Sequence, residues 1–335
     1  MKRFTGILCA AVLLLSVGRV EASDSASRDF FAMDTYMTVL ANGENAEEAV
    51  LAAEEEVNRL DAALSTGQES SEIAGINRSG VGKLSSDGCA LLEKALELYE
   101  ESGSLFDITI YPVMDLWGFT SGEYHVPEEK ELSEALSLVD ASKIRYDEES
   151  GEVFFEEPEM KMDFGGIAKG YTSARLMDLF RDKGITSALV DLGGNVQALG
   201  TKPDGSEWRI GIRDPEDENG MLGILSISDL AVITSGGYER YFEENGETYH
   251  HIIDPRTGYP AESGLLSVTI VSPDGTLADG LSTFLFIAGR EQAEEFWRTH
   301  KEWFEMILVL EDRSILLTEG LTERFTSDYA FSVIS

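Results

Sequence analysis

The chain has 335 residues, with 62 acidic side chains against 26 basic ones and a formal net charge of −36. That balance argues against nucleic acid or an anionic membrane surface as a partner, and any anionic substrate would need a cation or an isolated lysine to be held. The length is enough for one large or two medium domains, and the composition is that of a globular protein.

Residues 1–22 begin with Lys2 and Arg3, continue through an apolar run from Gly6 to Val17, and end in a small-residue pattern at Ala22. This reads as a secretory signal segment, too short in its apolar part for a membrane span. Its removal takes away three basic residues and one acidic, leaving −38. Lipidation at Cys9 is disfavoured because Gly-Ile-Leu precedes it, and cleavage after Ala22 leaves Cys89 as the only thiol, so no internal disulfide forms. Residues 23–29 are polar and read as a linker, which leaves 30–335 as a single domain.

FFAMDTYMTVLA, residues 30–41, reads as a strand. Ala46, Val50, Ala53, Val57, Leu60 and Leu64 then recur at helical spacing, with the intervening glutamates as a solvated face. A second helix capped by Ser86 or Asp87 runs to Gly103, and Pro127 opens a third. KIRYDEESGEVFFEE reads as a hairpin turned at Ser150-Gly151. MKMDFGGIAKGYTSARL follows as strand, glycines and helix; SALVDLGGNVQALG is a strand with a Gly-Gly interruption, and EWRIGIRDP another. AVITSGGYERYF and ETYHHIIDP flank an Asn245-Gly246 turn. SVTIVS, two helices from ADGLSTFLFIAG and REQAEEFWRTH, and the hairpin MILVLEDRSILL complete an α+β pattern with no internal repeat.

Three segments carry polar residues suited to chemistry. The glycines of MDFGGIAKGY serve either tight strand-to-helix packing or close backbone approach to a ligand, where the helix start suits an anion and Lys169 adds a point charge; neither GxGxxG nor a P-loop is present. In TLADGLSTFLF, Asp279 and Thr283 share a helical face beside Ser282, either as a helix-start carboxylate with a buried hydroxyl or as hard oxygens suited to Mg²⁺ once phosphates, waters or a backbone carbonyl complete an octahedron. Asp107 lies in an apolar, aromatic neighbourhood, either as a core cap or in a pocket for a ring system. His250 and His251 are adjacent; on a strand they point to opposite faces, so one of them at most faces a given site, and alternation does not say which.

Taken together, AMDTYMTV, FDITIYPVMDLWGF, DFGGIAKGY, LVDLGGN, TSGGYERYF, HHIIDPRTGYP and ADGLSTFLF stand in an order and spacing that resembles the ApbE-type flavin transferases, FAD:protein FMN transferases, over roughly residues 30–320. The resemblance implies a single compact α+β, T-fold-like domain with a mixed, mainly antiparallel sheet and packed helices. It implies an exported, periplasmic or otherwise extracytoplasmic, Mg²⁺-dependent transferase that splits FAD and attaches FMN, by a phosphoester, to a threonine or serine of acceptor proteins such as redox-driven pump subunits. The N-terminal segment is either cleaved or kept as a tether. Carried onto this chain, the Ala168 carbonyl with Asp279, Ser282 and Thr283 forms the metal site. Met33, Phe106, Asp107, Gly165, Gly166, Lys169, Ile252 and Ile253 bind FAD. His251 is the catalytic histidine, expected to act as general base with Asp254 orienting its ring, and His250 is structural. One departure is Gly67, in LSTGQESSEIAGIN, where relatives carry an aromatic residue that stacks on the flavin. An FAD pyrophosphatase and a non-catalytic exported flavin-binding protein are the rival readings.

Overall fold

The computed structural model describes residues 25–335; the expected signal segment lies outside the described residues. The first strand, β1 (Ser25–Ala32), starts inside the segment read as a linker and pairs with β2 (Thr35–Asn42). The single strand expected over residues 30–41 is therefore a hairpin. Its two-residue turn, Met33-Asp34, has positive φ at both positions (46° and 59°), the geometry that matches the strand twist. Neither residue is glycine, so the turn carries no composition signal.

Helix α1 (Ala46–Leu64) buries the predicted face, and α2 (Glu72–Ser79) and β3 (Val81–Lys83) follow. Helix α3 (Ser86–Glu101) is capped by Ser85, whose hydroxyl accepts from Gly88 N–H; the cap thus stands one residue earlier than expected. Next come α4 (Tyr111–Leu116), α5 (Glu129–Leu136), and the hairpin of β4 (Ile144–Asp147) with β5 (Glu152–Phe155). The strand expected at MKMDF is absent. Asn77 instead holds that extended segment with two side-chain hydrogen bonds of 2.8 Å to Met162 N–H and C=O, doing for one residue what a ladder would do for several.

Helix α6 (Ala168–Asp182) leads to β6 (Ser187–Leu192) and β7 (Val196–Leu199), which are two arms of a hairpin turned at Gly193-Gly194 rather than one interrupted strand. Then follow β8 (Trp208–Asp214), β9 (Asp217–Ile227), β10 (Ala231–Gly236), β11 (Tyr241–Glu244), β12 (Glu247–His250) and β13 (Leu265–Ser272). Helices α7 (Gly275–Ala288) and α8 (Arg290–Thr299) precede β14 (Glu305–Leu310), β15 (Ile315–Thr318), β16 (Phe325–Thr326) and β17 (Phe331–Ile334).

A nine-stranded sheet in the order β1-β2-β6-β7-β10-β13-β14-β15-β17 organises the molecule; every pairing is antiparallel except β15 with β17. Its central strands are buried on both faces, which is why SVTIVS reads as a continuous apolar run. On one face, Ile233, Ile270 and Leu308 meet α3, α7 and α8, while Val39 and Val190 meet α1 and α6. On the other, Val232, Val271 and Ile307 pack against the small sheet β16-β9-β8. A further cluster of Val113, Trp117, Phe119, Leu132 and Ile253 joins α4 and α5 to the β11–β12 hairpin, with Trp117 Nε1 donating to the Gly258 carbonyl at 2.8 Å.

Candidate functional site

The site begins where α6 crosses α7. A Cβ on Gly170 would stand 2.2 Å from the Gly275 carbonyl oxygen and 2.5 Å from Asp279 Cβ, so only glycine permits this approach. The Gly170 N–H donates to Asp279 Oδ2 at 2.7 Å. A Cβ on Gly166 would touch Phe106 at 3.2 Å and Thr283 Oγ1 at 3.8 Å. Phe106, Asp279, Thr283 and the glycine turn that leads into Ala168 therefore meet at one corner. Met33 joins them from the β1–β2 turn, its sulfur 3.9 Å from Thr172 Oγ1, which itself donates to the Ala168 carbonyl at 2.7 Å. Ser282 is fully buried behind Thr283; its hydroxyl donates to the Asp279 carbonyl and lies 2.8 Å from Ser235 Oγ.

Burial pushes the Asp279 carboxyl above the usual carboxylate range, with Lys169 and the Gly170 N–H acting the other way. A buried carboxylate with this little neutralisation favours a cation. Beside it Asn195 also draws the carboxyl down, although its buried amide Nδ2 makes no hydrogen bond of normal length among the described residues. Asp279, Thr283 and the Ala168 carbonyl are hard oxygen donors with one charge between them, and among the described residues no cluster of three His, Cys, Asp or Glu exists. This donor set fits Mg²⁺ with phosphate oxygens and water completing the shell, and does not fit a soft metal.

Lys169 also acts on Asp191 and Glu239, and both carboxyls are raised, chiefly by burial. Asp163, on the glycine turn, is raised for the same reason and accepts from Gly165 N–H at 2.9 Å. Asp163, Asp191 and Glu239 keep solvent access although their surroundings strip them of water. Access together with desolvation is the combination that a concave surface produces.

The two histidines separate clearly. His250 is bonded on both ring nitrogens: Nδ1 accepts from Ile252 N–H at 3.3 Å, and Nε2 donates to the Ala261 carbonyl at 3.2 Å. Its ring meets Phe286 edge-on, so the side chain is engaged within the fold. His251 Nδ1 donates to the Arg240 carbonyl at 3.1 Å, and the same oxygen accepts from the His251 backbone N–H at 3.0 Å. That bond fixes the neutral tautomer with Nε2 unprotonated. Burial, with the Arg240, His250 and Lys169 charges adding to it, pushes the ring down to about 3.

Two expectations are corrected. Asp254 does not orient His251: its carboxylate is held in two-toothed fashion by Arg256, at 2.6 to 3.1 Å, and caps the turn through Arg256 N–H. The Arg240 carbonyl takes the orienting role instead. Asp107 is committed to the fold, accepting from Thr109 N–H and Oγ1 through Oδ1 and from Ala141 N–H through Oδ2, so the capping reading holds for its side chain. The backbone of Ile252 is likewise engaged, by His250 and Ala261, and Ile253 bridges to Pro260. Gly67 is exposed and no ring stands there; Tyr111 lies nearby, its phenol pushed up by burial and by Asp115 and Asp163, with Thr66 alongside. Sequence reasoning missed Arg240, Ser235, Asn195 and Asp163 as site residues. Each lies in a quoted motif; the contacts of Ser235 with Ser282 and of Arg240 with Phe119 join distant segments, and Asp163 is held locally by Gly165 N–H.

Comparison with known proteins gives the class first: this is an enzyme, a transferase, on an α+β fold already seen in crystals. A profile of the ApbE family matches residues 33–308, and the chain belongs to that family. The FAD:protein FMN transferase of Klebsiella pneumoniae is 38% identical over 233 residues, 69% of this chain and 72% of the relative. That of Treponema pallidum is 35% identical over 296 residues, 82% of each. The crystal structure of the ApbE protein from Thermotoga maritima superposes with a TM-score of 0.84 at 30% identity, covering 90% of this chain and 99% of that one. The apo flavinyl transferase ApbE of Pseudomonas stutzeri gives 0.81 at 28% identity, covering 92% and 98%.

Proposed function

We propose that this enzyme transfers FMN from FAD to a threonine or serine hydroxyl of an exported acceptor protein, releasing AMP, in a Mg²⁺-dependent reaction. The observation that carries the reading is the meeting of Asp279, Thr283 and the Ala168–Gly170 turn at one corner of a cleft whose Lys169 charge is felt at His251. A dianionic pyrophosphate enters such an acidic body only where charge is supplied, and Lys169 with the α6 start supplies part of it. Bound at Ala168, Asp279 and Thr283, Mg²⁺ would neutralise phosphoryl oxygens.

His251 performs the proton step. Its free Nε2 takes the acceptor's hydroxyl proton as that oxygen bonds to the FMN phosphorus; the P–O bond to AMP breaks, and AMP leaves with the electron pair. General-base help of this kind contributes about 10²- to 10⁴-fold. The Arg240 carbonyl holds the imidazole in the required tautomer throughout. Tyr111, beside Thr66 and with Lys161 Nζ 5.5 Å from its ring centroid, is the aromatic residue next to the Gly67 segment.

The signal-like pattern of residues 1–22 supports a reaction outside the cytoplasm; among the described residues no helix is long and apolar enough to cross a membrane. Incubation with FAD, MgCl₂ and a candidate acceptor domain, followed by mass spectrometry, tests the reading. A gain equal to one FMN phosphoester on a threonine or serine supports it. Free FMN with no attachment makes the enzyme an FAD pyrophosphatase, and intact FAD after hours makes it a binding protein.

A further inference from the structure

Arg240 lies between β10 and β11, and its carbonyl is the group that holds His251. Its guanidinium does something separate. Nη1 donates to the Phe119 carbonyl at 3.2 Å, and the Phe119 ring stands 6.4 Å from the His251 ring, so the cation is anchored beside the base. It also acts on Asp163 of the glycine turn. Among the described residues no carboxylate lies within ion-pair distance of it, in a chain carrying 62 acidic groups. Arg213 and Arg256, on neighbouring segments, are both paired with carboxylates. An exposed arginine left unneutralised in such a chain, next to a histidine and a glycine turn, presents its charge to the cleft.

We infer that Arg240 is a further substrate-positioning residue of the reaction proposed above: its guanidinium, tethered to Phe119, offers its remaining N–H groups to a non-bridging phosphoryl oxygen beside His251. One residue then fixes both the base, through its carbonyl, and the phosphorus that the base serves, through its side chain. The Lys169 charge acts on both Asp279 and His251, and the Arg240 charge acts on His251. The two cations match the two charges of a nucleotide pyrophosphate, and the planar fork of arginine suits a phosphoryl oxygen pair better than a point charge would.

The inference rests on the FAD-dependent reading, and its test separates the two. Replacing the side chain leaves the backbone clamp on His251 in place, so Arg240→Ala removes only the guanidinium. Flavin transfer is measured with FAD varied and acceptor in excess, alongside equilibrium titration with FAD in the absence of acceptor. For Arg240→Ala the KM and Kd for FAD rise about 10- to 100-fold, as for loss of a charge-assisted hydrogen bond, and free guanidinium ion restores part of the rate. Arg240→Lys falls between the two. Should Arg240→Ala fail to fold, Arg240→Lys decides: a clear rise in the KM for FAD supports the role, and an unchanged KM overturns it. A wild-type enzyme that transfers flavin, with an Arg240→Ala variant indistinguishable from it in KM and Kd, overturns the Arg240 role alone. A wild-type enzyme that neither binds FAD nor flavinylates overturns the functional reading and this inference with it.

Discussion

The Gly170 N–H and the Asp279 carboxylate, 109 residues apart, are joined by a 2.7 Å hydrogen bond at a point where no side chain fits between their helices. Gly170→Ala forces its methyl against the Gly275 carbonyl and Asp279 Cβ and spreads α6 from α7. Overpacking of this kind costs about 1–3 kcal/mol. Thermal unfolding should show that loss, and flavin transfer should fall further than stability does. Wild-type transfer from a folded Gly170→Ala enzyme would mean that the corner tolerates separation.

Asp279→Asn removes a buried charge while keeping an acceptor for the Gly170 N–H. Since burial already raises this carboxyl, the unliganded variant should be at least as heat-stable as wild type. MgCl₂ with FAD should raise the melting temperature of the wild type and leave the variant unmoved, and EDTA should abolish wild-type transfer. Equal stabilisation of both proteins would remove Asp279 from the metal site.

The pH dependence follows from His251. Its folded-state value of about 3 lies below the ordinary 6.5, so in the free enzyme the ring is neutral, and competent as a base, above about pH 3. The acid limb of kcat/KM assigned to this residue should therefore lie well below 6.5, while the limb in kcat should lie higher, because a bound dianion favours the imidazolium. The same depression makes the unfolded chain bind more protons between pH 6.5 and 3, so His251 contributes stability that is lost as pH falls through that window. His251→Ala should abolish transfer while leaving FAD binding; a limb near 6.5 in kcat/KM would contradict the depressed value.

Asp254→Ala should act on stability and not on proton transfer. It leaves Arg256 unpaired and the turn N–H uncapped, a loss of about 1–2 kcal/mol after allowing for the exposure of Arg256. The acid limb of transfer should stay where it is. A displaced limb in this variant would restore Asp254 to the environment of His251.

Much of the candidate site was legible in the chain because its chemistry is local. Asp279 and Thr283 share a helix face by spacing alone, and DFGGIAKGY announces a backbone that must come close to something. The α1 face and the Asn245-Gly246 turn were equally plain, since periodicity and turn chemistry act over a few residues. The Met33-Asp34 turn was not, because its positive φ values are imposed by strand pairing and not by glycine. Strand β9, with Asp, Glu, Asn and Gly in its first half, takes its identity from pairing with β8 and β16.

By itself the sequence determined the acidic surface, the helices with one apolar face, the doubly buried central strands, and which segments carry hard oxygens, a lysine and a histidine pair. Only the tertiary structure decided what those groups touch. It engaged both ring nitrogens of His250, held one nitrogen of His251 through the Arg240 carbonyl rather than through Asp254, and turned the Asp107 carboxylate inward as a cap. Spacing along a chain sets which face a side chain occupies. Which partner a polar atom finds is set by packing between segments a hundred residues apart, because a buried polar group must be satisfied by whatever the fold brings within about 3 Å.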